Sequence, residues 1–235
     1  MTRPAVADRP ELRVSIFAPL GAFGAWLVAQ LLGAVLLQGL HGTVPDADRL
    51  FDPYFAAVLL GSDLVLLAGV WWSVRGTPDP RRALGLVRPS SWGQAAKLAI
   101  GGMVLVLVVA QILEPLLHAA ESQGLTPRPF PGGAEAWIGV IVAALAFVVV
   151  APVAEELFFR GLLFAALRGR LGPHWTPVTT GVVFGALHGE PRAFVSLALL
   201  GIVLGVLYER TGSVIPGILL HGANNGLAFA FAFAS

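Results

Sequence analysis

Long apolar runs, each close to the length of a bilayer-crossing helix and each closed off by charged or proline-rich residues, recur along this 235-residue chain. A hydrocarbon core about 30 Å thick asks for about 20 apolar residues at 1.5 Å of rise per residue. On that measure the pattern predicts helices over 14–40, 54–74 and 94–118, separated by HGTVPDADRLFDP and RGTPDPRRALGLVRPSSWGQ. A fourth begins near Trp137 and runs past Pro152 through EELFFRGLLFAALR, either as one over-long or kinked helix or as two. Three more follow near 176–189, 192–209 and 214–233, split by GEP and ERTGS. The expected fold is an all-α, polytopic membrane bundle of about seven (six to eight) transmembrane helices. It divides into a cytoplasmic tail over 1–13, amino-terminal transmembrane helices over 14–130 and a helical core over 131–235.

Composition agrees: 56% of residues are hydrophobic and 12% charged, which excludes an ordinary soluble domain. The chain has no Cys, so disulfides and thiolate sites are excluded and any metal must be held by His, Asp or Glu. The net charge of +1, with its basic residues in loops, gives no footprint for a nucleic-acid partner. Charge location orients the chain. Arg3, Arg9 and Arg13 precede the first span, and Arg75, Arg81, Arg82, Arg88 and Lys97 lie between the second and third, which puts both segments and the N-terminus on the cytoplasmic side of a cell membrane. The loop with Asp46, Asp48, Asp52 and Arg49 then lies outside, and the same alternation carries Arg168 and Arg170 inside and the C-terminus outside. The first 13 residues lack an apolar core and cleavage site, so no cleaved signal peptide is expected. Trp71, Trp72, Trp92, Trp137 and Trp175 fall near expected helix ends, where an indole suits the headgroup region.

Polar groups inside spans are costly and normally face a bundle interior. Glu156 and Arg160 are four apart with the acid N-terminal, the favourable order for a helical ion pair near the cytoplasmic edge. Glu155 points about 100° away and has no local partner. His188 lies on a helix with a Gly181-xxx-Gly185 face, and His221 and Asn225 share a face of the last span beside Gly222-xxx-Gly226. Rise per residue brings Glu155, His188 and His221 to about 20, 18 and 10 Å above the cytoplasmic ends of their helices, a gap that tilt can close. Two neutral imidazoles and a carboxylate hold Zn²⁺ while leaving a water position, and a second carboxylate can act as base. Without metal, Glu155 activates water directly while His221 and Asn225 steady an oxyanion. The residues alone leave the two open. No G-x-S-x-G or H-E-x-x-H is present. Asp63, near the middle of the second span, reads either as a buried structural group partnered by an Arg or Ser, which is the favoured reading, or as a protonated bystander. Glu114 precedes Pro115 at the far end of the third span, and His41, His118 and His174 read as interfacial.

EELFFR, FGALH and HGANN, in that order, resemble the E-E-x-x-x-R, F-x-x-x-H and H-x-x-x-N signatures of the CPBP family of CAAX proteases and bacteriocin-processing enzymes, and the likeness extends over about 137–230. The resemblance implies an intramembrane metalloprotease whose catalytic core is 131–235 and whose substrate is a membrane-associated, prenylated or leader peptide or protein. It implies Glu155 and His188 as the water-activating pair, His221 and Asn225 as the remaining site groups, and Glu156 with Arg160 as flanking residues that orient the helix. The metal set would be Glu155, His188 and His221, with zinc as the ion. Two other readings stand beside it: a proton-coupled transporter, for which inverted repeats are expected and none is seen, and a non-catalytic immunity or assembly protein. Oligomeric state is not legible in the sequence.

Overall fold

The computed structural model describes residues 15–41, 53–118 and 134–232. The tail over 1–13, the acidic loop around Asp46–Asp52, the LTPRPFPGG loop and the side chain of His41 lie outside the described residues. Among those described there is no strand. The elements are α1 (Phe17–His41), α2 (Pro53–Val74), a short α3 (Pro80–Ala83), α4 (Trp92–Leu117), α5 (Ala134–Ala144), α6 (Ala151–Glu156), α7 (Phe164–Leu187), α8 (Phe194–Thr211) and α9 (Ile215–Phe231). Wide π-helical turns at Leu145–Val150 and Leu157–Leu163 join α5 to α6 and α6 to α7.

Five helical stretches are long and apolar enough to cross a membrane, the longest running 51 residues from Trp137 to Leu187. That run is interrupted at Gly172, whose φ of 73° and ψ of −178° turn the chain, so it supplies two rods. With the 17-residue α9, about 26 Å long, the described chain has seven rods of bilayer scale. Burial is distributed as lipid demands. Leu31, Leu32, Val35 and Leu36 on α1 are exposed, whereas Glu156 and Arg160 are wholly buried. Trp71, Trp72, Trp92, Trp137 and Trp175 are all exposed near rod ends, as a headgroup belt requires.

The proline that left the fourth span undecided is accommodated without a break. In the π turn before it, the N–H of Ala151 bonds Ala146 O, five residues back. Pro152 comes next in that register and has no N–H to give, which leaves the carbonyl of Phe147 open. Asn225 on α9 fills the vacancy, its Nδ2 donating to Phe147 O at 2.9 Å. Gly222 lets α9 come this close, because a Cβ there would stand 3.0 Å from Val148 O.

The Gly181-xxx-Gly185 face packs against α8. A Cβ on Gly181 would collide with the backbone of Ile202, and one on Gly185 would lie 2.7 Å from Ala198 N. Gly181→Ala is therefore expected to destabilise the fold by about 1–3 kcal/mol through overpacking against backbone, measured by thermal unfolding in detergent; an unchanged midpoint would show that α7 and α8 can separate freely.

At one end of the bundle, Arg168 makes a bidentate pair with Glu209, both bonds 2.8 Å. The segment between α3 and α4 docks at the same α8–α9 corner, Val214 N bonding Gly85 O and Ser90 N bonding Thr211 O. The two basic loop regions thus share an end, which matches the alternation read from the sequence.

Candidate active site

Three rods converge on one point. Glu155 comes from α6, His188 caps the C-terminal end of α7, and His221 sits in the buried face of α9. Glu155 Oε2 lies 4.0 Å from His188 Nε2 and 3.9 Å from His221 Nε2. His188 Nδ1 is 2.7 Å from Phe184 O. A carbonyl can only accept, so Nδ1 carries the proton and neutral His188 turns the lone pair of Nε2 toward Glu155. Phe184 braces both rings, with centroids 4.6 Å from His188 and 5.5 Å from His221.

Behind this layer runs a buried polar chain. Arg160 donates to Glu156 Oε1 at 2.6 Å and to Gly201 O at 2.7 Å, and Glu156 Oε1 stands 3.4 Å from His221 Nδ1. The Glu156–Arg160 ion pair read from the spacing is formed, and both side chains are wholly buried between helices. Glu156 reaches the α9 backbone as well, since a Cβ on Gly217 would lie 2.8 Å from Glu156 Oε2. Gly217 precedes His221 by one turn, so carboxylate and ring meet on the same face of α9.

The cluster opens onto a cavity of about 310 Å³. Glu155, His188, His221 and Asn225 line it, together with Phe23, Trp26, Gln30, Leu59, Asp63 and Leu66 from α1 and α2. Asn224 also lines it and donates to Asn225 Oδ1 at 3.4 Å. One N–H of Asn225 is committed to Phe147, and its amide retains a second. Glu156 and Arg160 do not line the cavity; Glu156 meets its wall at His221. Trp26, Gln30 and Asn224 were not singled out from sequence. Trp26 is the one indole away from the rod ends, with Gln30 one turn further on, and that mid-span polarity was the available signal.

Zinc takes imidazole nitrogen at about 2.0–2.1 Å and carboxylate oxygen at about 2.0–2.2 Å, which sets neighbouring tetrahedral donors roughly 3.4 Å apart. The observed separations are about half an ångström wider, and among the described residues no three of His, Asp and Glu are drawn tightly enough to clasp an ion as they stand. The donor types fit. Glu155 Oε2 is buried with no hydrogen-bond partner and faces two imidazole nitrogens. A buried carboxyl oxygen beside imidazole nitrogens calls for a cation or a proton between them.

The family model described as "Type II CAAX prenyl endopeptidase Rce1-like" matches residues 137–227. Over 217 residues the chain is 29% identical to the uncharacterized protein YyaK of Bacillus subtilis (strain 168), spanning 86% of this chain and 69% of that protein. Over 182 residues it is 30% identical to an uncharacterized 24.3 kDa protein of Escherichia coli, spanning 73% and 78%. A shorter match, 27% over 73 residues, covers 31% of this chain and 30% of a Bacillus subtilis (strain 168) protein named "Putative membrane peptidase YdiL". No solved structure matches the chain.

Proposed function

This chain belongs to the Rce1-like family of type II CAAX prenyl endopeptidases, a family of intramembrane peptidases, and from that premise we propose that it hydrolyses a peptide bond within the membrane by means of water activated at Glu155. The observation that carries the reading is the meeting of Glu155, His188 and His221, from three separate rods, at the wall of one cavity. Glu155 takes a proton from a water that attacks the scissile carbonyl, and the same carboxyl returns it to the leaving amine. The second N–H of Asn225 donates to the oxygen that becomes negative. Glu156 holds the His221 ring through its Nδ1 side while Arg160 neutralises Glu156. Glu155, His188 and His221 are the residues that would hold a zinc ion, which when bound polarises the carbonyl and lowers the pKa of water. The substrate is a membrane-associated peptide or protein, prenylated or leader-bearing, reached from the cytoplasmic face of the cell membrane.

Two measurements test this. Purified full-length protein in liposomes, given a farnesylated CAAX peptide and an unmodified membrane-anchor peptide, is expected to cleave at least one; cleavage of neither would remove the support for a peptidase. Elemental analysis of the same protein is expected to find about one zinc per chain, falling to near zero in His188→Ala and His221→Ala. Equal zinc in all three would contradict the assignment of the ligands.

A further inference from the structure

The acids in the bundle interior divide into two kinds. Glu156 and Glu209 are each matched to an arginine and lie away from the cavity. Glu155 and Asp63 face the cavity, and neither is paired with Arg or Lys among the described residues. Glu155 has two imidazoles opposite it and its role in the mechanism. Asp63 has neither. It lies near the middle of α2, is 5% exposed, and accepts one long hydrogen bond, from Trp26 Nε1 at 3.4 Å. Among the described residues Asp63 has no Arg or Ser partner: the neighbouring Ser62 bonds Leu59 O instead.

A carboxylate placed in a span without a cation is destabilising unless something supplies the charge. The architecture around it is built. Leu59, Asp63 and Leu66 fall on one face of α2, and Phe23, Trp26 and Gln30 on one face of α1, and all six line the same cavity as the histidines. A carboxylate beside an indole is the pair of groups that binds an ammonium or guanidinium ion, and the surrounding Phe and Leu side chains suit the aliphatic stem that carries it. Among the described residues no set of three His, Asp and Glu ligands is assembled around Asp63, and an ammonium ion needs none.

We infer that Asp63, held by Trp26, forms a subsite in the same cavity as Glu155 that accepts a basic side chain or protonated amine of the peptide substrate. This rests on the peptidase reading for the identity of the ligand as a peptide. It makes α1 and α2, which lie outside the segment matched by the family model, the specificity-determining wall of the site.

The test is a series of fluorescent membrane peptides in which a single Lys replaces Gln at successive positions, titrated onto full-length protein in nanodiscs. At least one Lys peptide is expected to bind wild type about tenfold more tightly than the Gln parent. Asp63→Asn should bring that ratio to within about twofold, whereas Asp63→Glu and Trp26→Phe should keep most of it. Should Asp63→Asn not fold, butylammonium must still compete with the Lys peptide on wild type while butanol does not. No Lys preference in wild type, a preference that survives Asp63→Asn, or one abolished by a chelator would each overturn the subsite. Cleavage followed in parallel separates the two claims. An Asp63-dependent preference without turnover would sink the peptidase and leave the subsite, and turnover with no Lys preference would do the reverse.

Discussion

Glu155→Gln is expected to lower the turnover number about 10³-fold or more while leaving peptide affinity and fold intact. General acid–base catalysis by a placed side chain supplies about 10²–10⁴-fold, and an amide of nearly the same shape can neither take the proton from water nor return it to the amine. The fold should not notice. Glu155 Oε2 makes no hydrogen bond within the protein, so the exchange removes no contact that holds α6 in place. The check is a split between turnover and binding, with cleavage rates beside peptide titrations for both forms. Turnover within tenfold of wild type would take Glu155 out of the chemistry, and a parallel loss of binding would make it a substrate anchor instead.

Arg160→Met should have the opposite signature: a large loss of stability, about 3–5 kcal/mol, before any question of catalysis. Arg160 is wholly buried and donates both to Glu156 and to the backbone of Gly201 on α8. Its removal leaves an uncompensated carboxylate at the junction of α6, α8 and α9 and an orphaned carbonyl. The double variant Glu156→Gln with Arg160→Met removes that charge as well and should recover much of the loss, so the two substitutions are expected to be strongly non-additive. Thermal unfolding of the three variants in detergent measures this. Additive effects would show that the pair is not energetically coupled despite its 2.6 Å contact.

The rods were legible because each is a local property of the chain. The apolar runs expected over 14–40, 54–74, 94–118, 192–209 and 214–233 correspond to Phe17–His41, Pro53–Val74, Trp92–Leu117, Phe194–Thr211 and Ile215–Phe231. The helix expected over 176–189 ends near the right place, yet its rod starts earlier, just past the positive-φ Gly172. The passage through Pro152 could not be read, since the π register depends on a hydrogen bond from Asn225, 78 residues away. The same holds within the site. The spacing of His221 and Asn225 placed them on one face, but that Asn225 holds the Phe147 carbonyl and that Glu156 faces His221 are tertiary facts. Asp63 was legible as a charge in a span; its neighbour Trp26 was not, because the two meet across the packing of α1 on α2, through a bond between residues 37 apart.

Hydrolysis in ¹⁸O-water is the most direct test of the claim that these three rods assemble a water-activating site. A purified full-length protein in liposomes is incubated with a cleavable membrane peptide, and the products are weighed by mass spectrometry. One ¹⁸O should enter the new carboxyl group of the N-terminal fragment, and its appearance should be lost together in Glu155→Gln and His188→Ala. Labelled product forming at the wild-type rate in both variants would contradict the account.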